Sequence, residues 1–253
     1  MEEDDDLRLS DNTLLALQQF LSEQKEQQEK FEKLKQLSEK RFDDIQNEDG
    51  ETKEDEDIKI TMEDFKEDWQ LSQFWYDDDT QLKLIQEAIN ASPEDGWIAC
   101  LCSPSVFVKY KSLKPVPKRN VVVFEVDERF NVYGPEFVYY DYSYPLKFTY
   151  LPEKESDKDK RTLKNKFDVV VMDPPFLSEE CLVKASMTTR WILKENGKII
   201  ACTGRVQTQL IKRLLNCNTT TFEPKHRGGL SNEFCCFSNY ESDFLKWKDE
   251  KDI

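Results

Sequence analysis

The segment Phe167-Asp168-Val169-Val170-Val171-Met172 runs into Asp173-Pro174-Pro175-Phe176, and this junction restricts the fold more than any other part of the chain. Five of the six leading positions are apolar, the pattern of a strand covered on both faces, which occurs in parallel sheets flanked by helices. Two prolines then hold φ and remove two backbone donors. Left at the carboxyl end of the strand are a carboxylate, free carbonyl oxygens and an aromatic ring. That is the edge at which open α/β sheets bind ligands. Asp173, Pro174, Pro175 and Phe176 are therefore the candidate catalytic residues. An acceptor cluster with an aromatic wall suits an amine, which brings N–H donors together with positive charge or a π-face. A proline pair alone is commonly just a stiff stop. The acid before it, the aromatic after it and the helix that starts at once argue for chemistry.

Around this junction strands and helices alternate. Strands are expected at 97–102, 120–126, 137–141, 167–172 and 198–203. A helix capped near Asp79, with Leu82, Ile85 and Ile89 on one face, precedes the first strand. Another spans 178–193, opening on Ser178-Glu179-Glu180, a cap followed by two acids in the positive first turn. After Gly204 a helix at 205–215 leads into two β-rich runs, 219–222 and 233–240. Only Pro224, Gly228 and Gly229 punctuate the stretch between those runs, so they are expected to pair as antiparallel neighbours. Five crossover strands closed by an antiparallel hairpin describe an α/β, doubly wound sheet. The lysine-rich segment 154–166 is read as a solvated surface insertion.

The charge is unevenly spread. Of the 51 acidic and 36 basic residues, 24 acids and 10 bases fall in residues 1–68. The remaining 27 acids and 26 bases leave the rest of the chain near neutral. Residues 1–64 are thus expected to form an acidic leader and 65–253 the folded domain. Within the leader a helix is expected over about 11–40, with Leu14, Leu17 and Leu21 on one face and Phe31, Leu34 and Leu37 continuing it. Its flanks, 1–9 and 43–64, are too polar to offset ordering entropy and are expected to be disordered. No apolar run approaches the ~20 residues of a membrane helix, and the acidic start is unlike a signal peptide. Seven cysteines show no C-x-x-C spacing, so reduced core thiols and no metal site are expected. Together these features point to a cytosolic or nuclear protein.

A nucleoside site is legible along successive strand ends. In doubly wound sheets an acid at the end of the second strand takes ribose hydroxyls, and Glu125 and Asp127 stand there. Asp141 and Tyr142, at the end of the third, suit an adenine, the acid accepting from its amine and the ring stacking on its face. The turn after the first strand reads Ser103-Pro104-Ser105, without the G-x-G-x-x-G that lets backbone reach a pyrophosphate. A nucleoside without phosphate, such as S-adenosylmethionine, needs no such cradle, and the hydroxyls of Ser103 and Ser105 can meet its amino-acid end.

The stretch Trp69-Gln70-Leu71-Ser72-Gln73-Phe74-Trp75-Tyr76, with Phe124-Glu125-Val126-Asp127-Glu128-Arg129-Phe130, Tyr140-Asp141-Tyr142, Asp173 to Cys181 and Asn232-Glu233-Phe234, resembles the eukaryotic elongation factor 1A lysine methyltransferase 1 family, formerly classed as N6-adenine methyltransferases. The likeness covers about residues 65–240. It implies a class I methyltransferase with a seven-stranded sheet and an antiparallel last strand. The cofactor implied is S-adenosylmethionine, and the substrate a lysine of elongation factor 1A, hence a cytoplasmic protein. Carried over, Glu125 holds the ribose, Asp141 the adenine and Asp173 to Phe176 the target amine. Phe74 and Trp75 close over the methionine end. His226, Asn232 and Glu233, near the hairpin tip, are candidate substrate contacts.

The amine motif by itself also fits adenine in nucleic acid, flipped out and stacked on Phe176. Binding of that kind needs a Lys/Arg surface to neutralise phosphates, which a near-neutral core with an acidic leader does not offer. A third reading, a non-catalytic module that kept the fold, is supported only by the glycine-poor first turn.

Overall fold

The computed structural model describes residues 60–68, 71–150 (backbone alone for 148–150), 163–175, 178–229 and 233–249, together with single positions between 13 and 36. By contact density the chain divides into two units, Met1–Glu51 and Thr52–Ile253. In the first, the described positions are helical, and Leu14, Leu17 and Leu21 are exposed. The expected continuation at Phe31, Leu34 and Leu37, the acidic flanks 1–9 and 43–59, and most of the 154–166 insertion lie outside the described residues. The second unit begins ahead of the expected boundary at 64/65. Met62 is buried, and Phe65 stacks on Phe130 at 4.3 Å between ring centroids.

Eight strands form one sheet: β1 (Trp97–Leu101), β2 (Asn120–Glu125), β3 (Phe137–Tyr140), β4 (Phe148–Tyr150), β5 (Phe167–Met172), β6 (Leu193–Gly204), β7 (Asn218–Thr219) and β8 (Phe234–Ser238). Their spatial order is β4-β3-β2-β1-β5-β6-β8-β7. The strands β3, β2, β1, β5 and β6 are parallel, and β8 runs antiparallel between β6 and β7. Seven of the eight thus reproduce the expected doubly wound sheet with its reversed strand. The addition is β4, antiparallel to β3 at the edge, three residues too short to stand out against the surrounding loop.

Helices cover the faces: α1 (Asp78–Ala91), α2 (Pro104–Ser112), α3 (Glu179–Ile192) and α4 (Thr208–Leu215). Asp77 caps α1 by accepting from the Thr80 N–H at 2.8 Å, two residues before the expected cap. The buried stripe of α1 is Gln81, Leu84, Ile85 and Ala88, while Leu82 and Ile89 sit at its margin. Ile85 belongs to both stripes. The reading of Ser103-Pro104-Ser105 as a turn missed α2, because its Val-Phe-Val run carries β-propensity. Pro104 at its first turn fits a helix start, where no backbone donor is needed.

The lone acid inside β5, Asp168, sits at the amino-terminal end of the sheet. It accepts from the Trp97 N–H at 2.9 Å and pairs with Lys194 at 2.8 Å. Beyond it Val169 to Met172 are fully enclosed, with Phe124 and Phe167 meeting edge to face at 5.6 Å.

Gly96 feeds β1 from a tight turn in which its N–H donates to the Pro93 carbonyl at 2.9 Å. A Cβ there would lie 2.7 Å from that carbonyl oxygen and 2.9 Å from the proline ring. Gly96→Ala is expected to destabilise the domain by about 1–3 kcal/mol. That lowers its melting temperature by roughly 3–10 °C in differential scanning fluorimetry; an unchanged melting point contradicts the crowding.

Candidate active site

The strand order reverses between the parallel neighbours β1 and β5, and a cleft of about 360 Å³ opens beyond the carboxyl ends of the strands at this point. Small-ligand sites run from about 300 to 1,000 Å³. Register explains which residues meet there. Leu101 stands opposite Phe124 on one side and Met172 on the other, so Cys102, Glu125 and Asp173 emerge at one level. Two bonds continue the ladders past the last paired residues: Cys102 N–H to the Phe124 carbonyl at 2.8 Å, and Asp173 N–H to the Leu101 carbonyl at 3.0 Å.

Glu125 lines the cleft at 6% exposure. Its Oε1 accepts from the N–H groups of Val126 and Asp127 at 3.0 and 3.4 Å. Burial first, then the neighbouring Asp127 charge, pushes its carboxyl up to about 8. Burial also pushes Asp173 up to about 7. Two acids facing one cavity with raised values mark a site built to receive hydrogen-bond donors or positive charge.

The turn after β1 solves without glycine what dinucleotide sites solve with it. Cys102 takes the left-handed backbone itself, at φ 51°, and the chain passes into α2 through Ser103. The Ser103 hydroxyl is buried without a partner. Ser105 follows on the same wall. An orphaned hydroxyl on one side and a buried carboxylate on the other fit a nucleoside carrying a polar tail.

Asp141 and Tyr142 form the next stretch of wall. Asp141 accepts from the Ser143 N–H at 2.8 Å, leaving acceptor capacity toward the cleft. The Cys181 thiol beside Tyr142, together with burial, pushes its phenol up to about 12. Pro174 and Pro175 complete the floor beside Asp173.

A short antiparallel ribbon builds the roof. Tyr76 bridges His226, with Asp77 N–H to the Lys225 carbonyl at 2.8 Å and Arg227 N–H to the Trp75 carbonyl at 2.9 Å. The segment before α1 and the loop before β8 are thereby stitched over the cleft, bringing Phe74, Trp75, His226 and Phe234 to its edge. Burial pulls His226 down to about 4, so it stands there as a neutral ring.

The structure therefore gathers Phe74, Trp75, Ser103, Ser105, Glu125, Asp141, Tyr142, Asp173, Pro174, Pro175 and His226 around one cavity. Trp75 contributes differently from expectation: it is 5% exposed, its Nε1–H donates to the Phe65 carbonyl at 3.0 Å, and it meets Phe130 edge-on. Its indole is core. Asp127 is not on the wall. Its carboxylate is taken by the Arg129 guanidinium at 2.7 Å and the Gln73 amide at 2.8 Å, and it caps the 3-10 segment Glu128–Glu136. Residues two apart in an extended chain share a face, so it is these two partners, Arg129 and Gln73, that keep the Asp127 carboxylate from joining Glu125 on one ligand. Glu233 likewise turns away, exposed and paired with Arg205 at 2.8 Å. Phe176 and Asn232 lie outside the described residues.

Sequence reasoning missed Cys102, whose role is a backbone conformation that no residue type announces. It also left Phe234 unassigned, although it stands beside Asn232 and Glu233.

Comparison with known proteins agrees with this geometry. The family described as "Probable N6-adenine methyltransferase" matches residues 67–242. The chain is 42% identical to EEF1A lysine methyltransferase 1 of Mus musculus, over 95% of each chain. It is 40% identical to the Homo sapiens protein of the same name, over 96% of each. Protein-lysine N-methyltransferase EFM5 of Saccharomyces cerevisiae is 36% identical, over 95% of this chain and 94% of that one. The chain thus belongs to this methyltransferase family, alongside the EEF1A lysine methyltransferases 1 of mouse and human.

Proposed function

We propose that this protein is a protein-lysine N-methyltransferase that transfers methyl groups from S-adenosylmethionine to a lysine of translation elongation factor 1A in the cytoplasm. The observation that carries the reading is the pairing, in one cleft, of a half-buried acceptor at the tip of β5 with a buried acceptor at the tip of β2. Relatives 40–42% identical over nearly the whole chain are named EEF1A lysine methyltransferase 1, and one 36% identical is named a protein-lysine N-methyltransferase.

Glu125 accepts from the ribose hydroxyls, Asp141 from the adenine amine with Tyr142 on its face, and Ser103 and Ser105 meet the amino-acid end under Phe74. When bound, S-adenosylmethionine supplies an electrophilic methyl on a sulfonium centre. The chain's contribution is mainly position, because an in-line displacement needs the amine lone pair about 3 Å from that methyl. A lysine in water is protonated, with a pKa near ~10.4; a cleft that strips solvent from it favours the neutral amine. The Asp173 carboxylate and the Pro174 carbonyl accept its remaining N–H bonds and aim the lone pair. The prolines offer no competing N–H. The family resemblance assigns Phe176 to the nitrogen as it gains methyls. His226 adds a neutral wall that does not repel an ammonium.

The adenine reading keeps the same motif but asks for phosphate neutralisation. Residues 69–253 carry 26 bases against 27 acids, and the acidic leader would repel a polyanion. A basic protein surface suits that profile.

Intact-mass measurement of elongation factor 1A after incubation with this protein and S-adenosylmethionine is expected to show added methyl masses, lost when the target lysine is replaced by arginine. No mass change on an unmodified factor contradicts the substrate assignment. Asp173→Ala is expected to lower transfer by at least about a hundredfold, with the calorimetric affinity for S-adenosylmethionine changed less than about threefold; normal turnover in that variant removes Asp173 from the chemistry. Glu125 carries a proton in the free site below about 8, and only its ionised form accepts from both ribose hydroxyls. Affinity for S-adenosylmethionine is therefore expected to weaken as pH falls below that value, toward tenfold per unit. Glu125→Gln should bind more weakly and flatten the dependence; a wild-type affinity independent of pH between 6 and 9 counts against this role.

A further inference from the structure

Tyr76 ends the aromatic stretch that precedes α1, yet it does not line the cleft. Its side chain is 1% exposed. The hydroxyl lies within reach of the Asp173 carboxylate and the Cys202 thiol, without meeting full hydrogen-bond geometry to either.

The rest of the residue is held on several sides. Its carbonyl accepts from the Gln81 side-chain amide at 2.5 Å. Its backbone bridges His226, and its ring lies 4.8 Å from the imidazole. A buried hydroxyl without a partner is unfavourable, and such groups concentrate where a structure awaits a ligand or a change of charge. Of its two polar neighbours, a carboxylate is the stronger acceptor.

Resting on the methyltransferase reading above, we propose that Tyr76 is a positioning residue: its hydroxyl, fixed behind the β5 loop, donates to the Asp173 carboxylate and holds that group ionised and aimed at the target amine. The groups facing Asp173 make such a donor necessary. They are Tyr76 itself, Cys102 at the tip of β1, Glu125 at the tip of β2 and Cys202 on β6. His226, in the same cleft, is neutral. None of these brings a positive charge, and burial favours the protonated acid. The Tyr76 hydroxyl is the group that works in the opposite direction. A protonated Asp173 would present one acceptor oxygen fewer to the amine and add a competing donor. Tyr76 therefore extends the pH range over which the loop receives a substrate. The arrangement also links the loop to the roof, since the residue that supports Asp173 is the one bridged to His226.

The test is Tyr76→Phe in the full chain, which keeps the ring and removes only the hydroxyl. Its melting temperature is expected to be no lower than that of the wild type. With ¹³C-labelled aspartate, and the Asp173 carboxyl resonance identified by its loss in Asp173→Asn, the titration midpoint of Asp173 is expected to rise by about one pH unit in Tyr76→Phe. The acid limb of kcat/KM for methylation of elongation factor 1A should move upward by the same amount, costing about three- to tenfold near pH 6 and merging with wild type at high pH. Calorimetric affinity for S-adenosylmethionine at pH 9 should be unchanged. An Asp173 midpoint that stays in place, or activity lost in parallel with cofactor binding, overturns the proposal. Failure of the wild type to methylate elongation factor 1A would instead strike the substrate assignment, and the carboxyl titration still decides the role of Tyr76.

Discussion

The in-register ending of three parallel strands is the constraint on which this molecule's chemistry depends. With Leu101 held between Phe124 and Met172, the next residue of each strand reaches the same edge of the sheet. The side chains brought together are a thiol and two carboxylates. A slip of one residue in either ladder would turn Glu125 or Asp173 to the opposite face. The Val-Val-Val runs of β2 and β5 resist that slip, because both faces of the sheet are covered and every position is committed to packing. The apolar core is thus the ruler that places the polar groups.

Placing two carboxylates in one cleft away from bulk water is unfavourable for the free protein, and the raised values of Glu125 and Asp173 express it. Each acid is stabilised by what arrives: a diol at one, a nitrogen donor at the other. The strain is thus specific to function, as in sites that anticipate charge or donors before they bind them. Asp127, two residues from Glu125, is instead paired with Arg129 and Gln73. Its neighbourhood shows what a structural acid looks like in the same loop.

Much of this was legible in the residues. The run Phe167 to Phe176 announced a buried parallel strand with an acceptor loop, since local composition and proline geometry act over a few residues. Strand ends at Glu125 and Asp141 followed from the spacing of crossover units. The edge strand β4 and the helix α2 were not legible: one is too short to show a period, and the other carries β-branched and aromatic residues that packing against β1 and β2 overrides. Asp127 and Glu233 looked like ligands because their residue type and position were right. Their partners, Arg129 and Arg205, were visible in the chain, but the pairing was not.

By itself, then, the amino-acid sequence determined the class of sheet, most of its strands and the identity of the acids at the strand tips, because periodicity, turn chemistry and charge are local properties. Which of those acids face the cavity, which are neutralised by arginine, and how Tyr76 comes to lie behind Asp173 were decided only in three dimensions. The contacts responsible join residues 76 and 226, 101 and 173, or 102 and 124, and no local pattern encodes a meeting between segments so far apart. The site exists because the tertiary ladder and the ribbon over the cleft bring them together.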